Sequence, residues 1–142
     1  MLLTAEQIIR IHDNEIKKYG GDYGIRDEGT FDMLANAPYQ SMFGMDCYPS
    51  VFDKAAKYLE GFARHQVFYD GNKRTALVTC ATFLAINDYQ LQLNPMEFYK
   101  LTLDIANNKD IETGKISKFL EKHSISLEKE LENLKDDAIF KE

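Results

Sequence analysis

The sequence predicts an all-α fold, a bundle of six or seven helices with at most a small β-hairpin. Three observations predict it: apolar residues recur at helical spacing in segment after segment, most of these segments open on a capping residue, and no set of alternating strands is found. At 142 residues the chain suits one hydrophobic core, and 44% hydrophobic with 28% charged residues is an ordinary globular composition. No apolar run approaches the roughly 20 residues of a membrane span, and Met1-Leu2-Leu3 passes at once into polar residues, unlike a secretory signal. The net charge of −6 argues against a general nucleic-acid binder. Cys47 and Cys80 have no metal-ligand spacing and read as two reduced thiols of a cytoplasmic protein.

Thr4-Ala5-Glu6-Gln7 is a capping box. The helix it opens carries Ile8, Ile11 or His12, and Ile16 along one side and stops at Gly20-Gly21. After a polar, glycine-punctuated loop, residues 29 to 37 read as a short helix with Phe31, Leu34 and Ala35 inward, ended before Pro38. Residues 38 to 49 lack a helical period and suit a loop or small hairpin. Ser50, with Asp53, caps a helix expected to reach about Val67, and a second central helix runs from about Asn72 to Ile86. Asn94-Pro95 starts the next helix, with Glu97 in its first turn. A further helix spans residues 110 to 123. Residues 1 to 123 form the expected domain, and residues 124 to 142 an acidic tail. In that tail six acids face three lysines, and Leu127, Leu131 and Leu134 make a narrow apolar stripe.

The chemistry concentrates in Arg64-His65-Gln66-Val67-Phe68-Tyr69-Asp70-Gly71-Asn72-Lys73-Arg74-Thr75, a short loop that leads into a helix N-terminus. The N–H groups there lack intrahelical partners and, with the macrodipole, favour an anion. Lys73 and Arg74 stand in the first turn, where acids are usual, and a bound phosphate explains the inversion. Gly71 allows close backbone approach, Asn72 can donate an amide, Arg74 offers a planar fork and Lys73 a mobile charge. Asp70 can hold Mg²⁺ through oxygen. Phe68 is expected to point inward and anchor the loop, and Arg64 is a candidate outer phosphate contact. Taken singly, these residues read as a turn, a cap and a solvated pair.

Together they resemble the core motif of the Fic/Doc family, specifically its Doc (death-on-curing) branch. The family pattern is His-x-Phe-x-(Asp/Asn)-(Gly/Ala)-Asn-(Lys/Gly)-Arg. Phe68, Asp70, Gly71, Asn72, Lys73 and Arg74 match without a gap, while the histidine position falls on Gln66 and His65 lies one residue early. Flanks are similar too: Gly24-Ile25-Arg26-Asp27-Glu28-Gly29, Tyr48-Pro49, Lys54-Ala55-Ala56 and Phe83-Leu84-Ala85-Ile86-Asn87. The resemblance implies the Fic fold, with residues 38 to 49 as the flap that guides a target segment. It implies ATP and Mg²⁺ as ligands and a candidate catalytic set of Gln66, Asp70, Asn72, Lys73 and Arg74. Adenylylating members carry glycine where Lys73 stands. The Doc branch carries lysine, which implies transfer of phosphate to a threonine hydroxyl, in Doc a threonine of the translation factor EF-Tu, and arrested protein synthesis.

Gln66 keeps other readings open. Its amide is not a base, and a positioned base is typically worth about 10²–10⁴-fold. His65 stands about 100° away around a helix, and His12 and His123 read as ordinary surface or half-buried histidines. The alternatives are a nucleotide-binding pseudoenzyme and a Fic-type adenylyltransferase. Neither Glu28-Gly29 nor Glu132-Asn133 fits the family's self-inhibitory pattern, so the resemblance implies a separate, Phd-like antitoxin in a bacterial or phage-encoded toxin–antitoxin pair.

Overall fold

Side-chain caps set most of the helix starts. In a computed structural model, residues 1–141 are described, and the side chains of residues 1–136. Thr4 and Gln7 close the capping box that opens helix α1 (Ala5–Tyr19), and Gly20, at φ +85°, ends it. The Asp27 carboxylate accepts the Thr30 N–H and caps α2 (Glu28–Asn36). Pro38 is compatible with the 3₁₀ turn Ala37–Tyr39 that follows directly. A two-stranded hairpin, β1 (Ser41–Met42) and β2 (Met45–Asp46), then turns through Phe43 and Gly44, both at positive φ. Helix α3 (Val51–Arg64) opens on the Ser50/Asp53 box.

Helix α3 is shorter than its apolar pattern predicts, because Val67 and Phe68 are drawn into backbone pairing elsewhere. The Arg26 and Asp27 N–H groups both donate to the Val67 carbonyl (2.7 and 3.1 Å), and Ile25 bridges Phe68. After the loop come α4 (Asn72–Ile86), β3 (Tyr89–Leu91), α5 (Pro95–Asn107) and α6 (Thr113–Lys122). Strand β4 (Ser124–Ser126) pairs antiparallel with β3, and α7 (Leu127–Lys141) follows. That second pairing is an addition to the single hairpin expected. It joins segments more than thirty residues apart, beyond any local pattern. It also makes the first three residues of the expected tail part of a sheet. Leu131 and Leu134 are exposed on α7, and the acids at 137 and 142 lie outside the described side chains.

Helices α3 and α4 form the centre, with α5 and α6 against α3 and α1 against α4. Tyr58, Leu59, Phe62, Phe68, Phe83, Leu84 and Ile105 fill the core. Each large apolar side chain so buried contributes about 1.5–3 kcal/mol. Tyr58 lies there without an orphan hydroxyl: it donates to the Tyr39 oxygen at 2.6 Å, and burial raises its pKa. Gly61 allows α2 to sit close, since a Cβ there would stand 2.8 Å from a Leu34 methyl. Asp53 ties α3 to α6, accepting from the Ser117 hydroxyl at 2.6 Å. Among the described residues no helix is long and apolar enough to cross a membrane.

Candidate active site

The α3–α4 connection crosses the end of the central helix pair, and three inward contacts hold it. Phe68 is buried, and the His12 ring stacks on it at 3.9 Å and 11°. His12 Nε2 donates to the Asp70 carbonyl at 2.8 Å, and Nδ1 lies 3.1 Å from the Asp13 carboxylate. Asn72 closes the loop on itself: its side-chain oxygen accepts the Phe68 N–H (2.9 Å) and its amide donates to the Phe68 carbonyl (3.0 Å). Residues 21 to 27 brace the loop from outside. The Arg26 side chain donates to the Gln66 carbonyl at 2.9 Å, and the Asp22 N–H donates to Asp70 Oδ2 at 2.7 Å. Gly21 touches the same carboxylate arm, because a Cβ there would lie 2.9 Å from Asp70 Cβ.

The loop delivers its polar groups to a cavity of about 640 Å³ walled by α1, the end of α3, α4 and α5. Gly71, at φ +78°, turns the chain into α4, and no side chain caps that helix. A Cβ on Gly71 would meet Ile16 at 3.1 Å, so the turn also sits close to α1. Gln66, Asp70, Gly71, Asn72, Lys73 and Arg74 all line the cavity. Among the described residues, the side chains of Lys73 and Arg74 make neither an ion pair nor a hydrogen bond within the chain, and Asp70 Oδ1 is likewise free. Two cations with open donors beside an uncapped helix end suit a polyphosphate. The open Oδ1 of Asp70 on the same loop is a hard oxygen of the kind a divalent cation takes.

Two residues have other commitments than those read from the sequence. Arg64 lines the cavity, yet its guanidinium donates to the Ile105, Asn108 and Ile111 carbonyls (2.9, 2.9 and 2.7 Å) and to Glu60 (3.3 Å). It fastens α3 to the α5–α6 connection, which leaves its fork occupied. Asn72 commits its oxygen and one amide hydrogen to Phe68, so only the second amide hydrogen remains for a ligand. His65 does not line the cavity; its Nδ1 meets the Gly61 carbonyl at 2.9 Å.

The sequence reading missed His12 as a loop clamp, together with Glu15, Tyr19 and Tyr99 in the cavity wall. A signal for His12 existed: it stands on the buried face shared by Ile8 and Ile16, four residues from each, and it is only 1% exposed. A histidine on an apolar stripe needs polar partners, and here they are the loop carbonyl and Asp13.

This helix–loop–helix site defines the class, and comparison with known proteins agrees. Residues 2–84 match the Fic/DOC family, and the chain belongs to it. It is 34% identical over 115 residues to "Protein kinase doc" of Escherichia phage P1, which covers 81% of this chain and 85% of that protein. It is also 44% identical over 73 residues to "Toxin Doc" of Mycolicibacterium smegmatis (strain ATCC 700084 / mc(2)155), covering 51% of this chain and 56% of the relative's length.

Proposed function

We propose that this chain is a Doc-type toxin that transfers the terminal phosphoryl group of ATP to a threonine hydroxyl of a translation factor such as EF-Tu, and that a separate Phd-like antitoxin restrains it. The observation that carries this reading is the pairing of an uncapped, glycine-turned α4 N-terminus with Lys73 and Arg74, whose side-chain N–H donors are open, inside one cavity. Phosphoryl transfer asks a protein chiefly for positioning and charge stabilisation. Lys73 and Arg74 bind the phosphate oxygens, Asn72 adds one amide hydrogen, and the α4 N–H groups complete the anion site. Mg²⁺, held by Asp70, supplies further charge neutralisation when bound. The acceptor hydroxyl oxygen forms the new P–O bond, ADP leaves, and the hydroxyl proton passes to a product phosphate oxygen or to water. Gln66 orients that hydroxyl but takes no proton.

The name of the phage P1 relative, a protein kinase, favours phosphate over nucleotide transfer, as does Lys73 in place of glycine. One observation favours a second reading, a nucleotide-binding protein of low activity. Among the described residues, no histidine lines the cavity, so no imidazole there can serve as the base.

The test is transfer of γ-labelled phosphate from ATP–Mg²⁺ to purified EF-Tu by this chain and by Gln66→His. The expected result is a mass gain of about 80 Da on the target and a rate raised about 10²–10⁴-fold by the histidine. A gain of about 329 Da identifies AMP transfer instead. ATP binding without transfer by either protein establishes the second reading.

A further inference from the structure

The two arginines of the cavity are held in opposite ways. Arg64 is fixed through its N–H edges, by three carbonyls and a carboxylate. Arg74 is fixed through its π face. Its guanidinium carbon lies 3.8 Å from the centroid of the Tyr19 ring and 5.5 Å from that of Tyr99. Tyr19 is the last residue of α1, Tyr99 stands near the start of α5, and Arg74 is in the first turn of α4. Three helices therefore converge on one cation. Glu15, one turn before Tyr19, lines the same wall and is 7% exposed, yet it forms no ion pair with Arg74.

The choice of partner has a chemical consequence. A carboxylate holds a guanidinium by the same in-plane N–H fork that a phosphate needs. An aromatic ring holds it by its face, perpendicular to that fork, and leaves all five donors available. A free arginine side chain also loses much rotamer freedom on binding, and one already stacked has less to lose.

We propose that Tyr19 and Tyr99 are positioning residues that hold Arg74 by its face and present its open fork to a bound polyphosphate. The proposal rests on the phosphate-binding reading above. It makes the two rings part of phosphate recognition although neither needs to touch the ligand. Phenylalanine should serve as well as tyrosine, because the ring face and not the hydroxyl does the holding.

Tyr19 is 61% exposed, so its replacement leaves the core untouched. The experiment titrates tripolyphosphate and ATP, each with Mg²⁺, by calorimetry into the wild-type chain, Tyr19→Phe, Tyr19→Leu, Tyr99→Leu and Arg74→Gln. It repeats Tyr19→Leu in the Arg74→Gln background. NMR of the Arg74 side-chain protons reports the stack itself through the ring-current shift. Tyr19→Leu should weaken both probes about threefold to tenfold and remove most of the shift, with Tyr99→Leu acting in the same direction. Tyr19→Phe should keep the affinity and the shift. In the Arg74→Gln background Tyr19→Leu should change affinity by less than about twofold.

Loss of ATP affinity with tripolyphosphate unchanged would mean that the ring stacks a base, and would overturn the proposal. An undiminished penalty in the Arg74→Gln background, or no penalty in Tyr19→Leu, would overturn it as well. In all three cases the phosphate site itself stands. A wild-type chain that binds neither probe overturns the phosphate site and this proposal together.

Discussion

Replacing His12 by phenylalanine isolates what the clamp contributes. Phenylalanine keeps a ring of similar shape on Phe68, so the stack at 3.9 Å survives. It removes the 2.8 Å donor to the Asp70 carbonyl and the 3.1 Å contact with Asp13. The Asp70 carbonyl then loses its partner beside a ring only 1% exposed. A polar group stranded in that way costs about 1–3 kcal/mol. At about 3 °C per kcal/mol for a chain of this size, Tm should fall by about 3–9 °C. Urea unfolding followed by circular dichroism checks the free energy. Asp70 is also the residue proposed to hold Mg²⁺, so ATP affinity in the presence of Mg²⁺ should fall in the folded variant. Glutamine at position 12 places an amide donor near the Nε2 position but gives up the stack. His12→Gln should therefore recover ATP affinity better than it recovers stability. A His12→Phe protein within about 0.5 kcal/mol of the parent, with unchanged ATP affinity, would refute the clamp.

Three further predictions concern the glycines beside the loop, the Arg64 anchor and the cap of α3. Gly20 and Gly21 both sit at positive φ, so alanine at either should cost about 1–3 kcal/mol. Only Gly21→Ala also drives a Cβ to 2.9 Å from Asp70 Cβ, and only it should weaken Mg²⁺-dependent ATP binding in calorimetry. Arg64→Met should lower stability by about 2–4 kcal/mol, since it strands three carbonyls and leaves Glu60 with Lys57 as its remaining partner. The folded fraction should bind tripolyphosphate as the parent does, and a clear loss of affinity would return Arg64 to the phosphate site. Burial alone would raise the Asp53 pKa, but the Ser117 hydroxyl, the Ser50 N–H and hydroxyl and nearby Lys54 together pull it below the usual carboxylate value. A depressed pKa stabilises the fold above about pH 4 and ceases to do so as pH falls through the folded-state value. The stability gap between the parent and Asp53→Asn should thus be full at neutral pH and close on acidification, as thermal melts across pH will show.

What could be read from the sequence was local. Thr4 with Gln7, Ser50 with Asp53, and Asn94 before Pro95 mark helix starts because a cap and the amide it satisfies are three residues apart. Helix α3 ends before its local pattern does because the cause is remote: the Val67 carbonyl accepts from Arg26 and Asp27, some forty residues earlier. Strands β3 and β4 were invisible for the same reason, each three residues long and meaningful only as a pair. At the site, the motif named the residues but not their directions. Nothing in an Arg-His-Gln run says that the arginine's donors are taken by Ile105, Asn108 and Ile111. Nor does the run say that Tyr99 lies over Arg74. Those facts depend on where α5 begins and ends.

Direction is what divides the motif into structure and chemistry. Phe68 points inward, Asn72 bonds back to Phe68, and the Asp70 and Gln66 carbonyls are pinned by His12 and Arg26. Every one of these contacts uses backbone atoms or an inward side chain. Gln66, Asp70, Lys73 and Arg74 line the cavity, and among the described residues the Gln66 amide, Asp70 Oδ1 and the Lys73 and Arg74 side-chain donors have no hydrogen-bond partner in the chain. The loop's shape consequently does not depend on which side chain stands at position 66, since its hold there is the Arg26 bond to the carbonyl. Exchanging glutamine for histidine changes proton affinity at a fixed point and little else. That separation is why Gln66→His is a clean test of base chemistry: stability and tripolyphosphate affinity should stay put while transfer rate moves. If the swap instead shifts all three together, position 66 is part of the scaffold and the division drawn here is wrong.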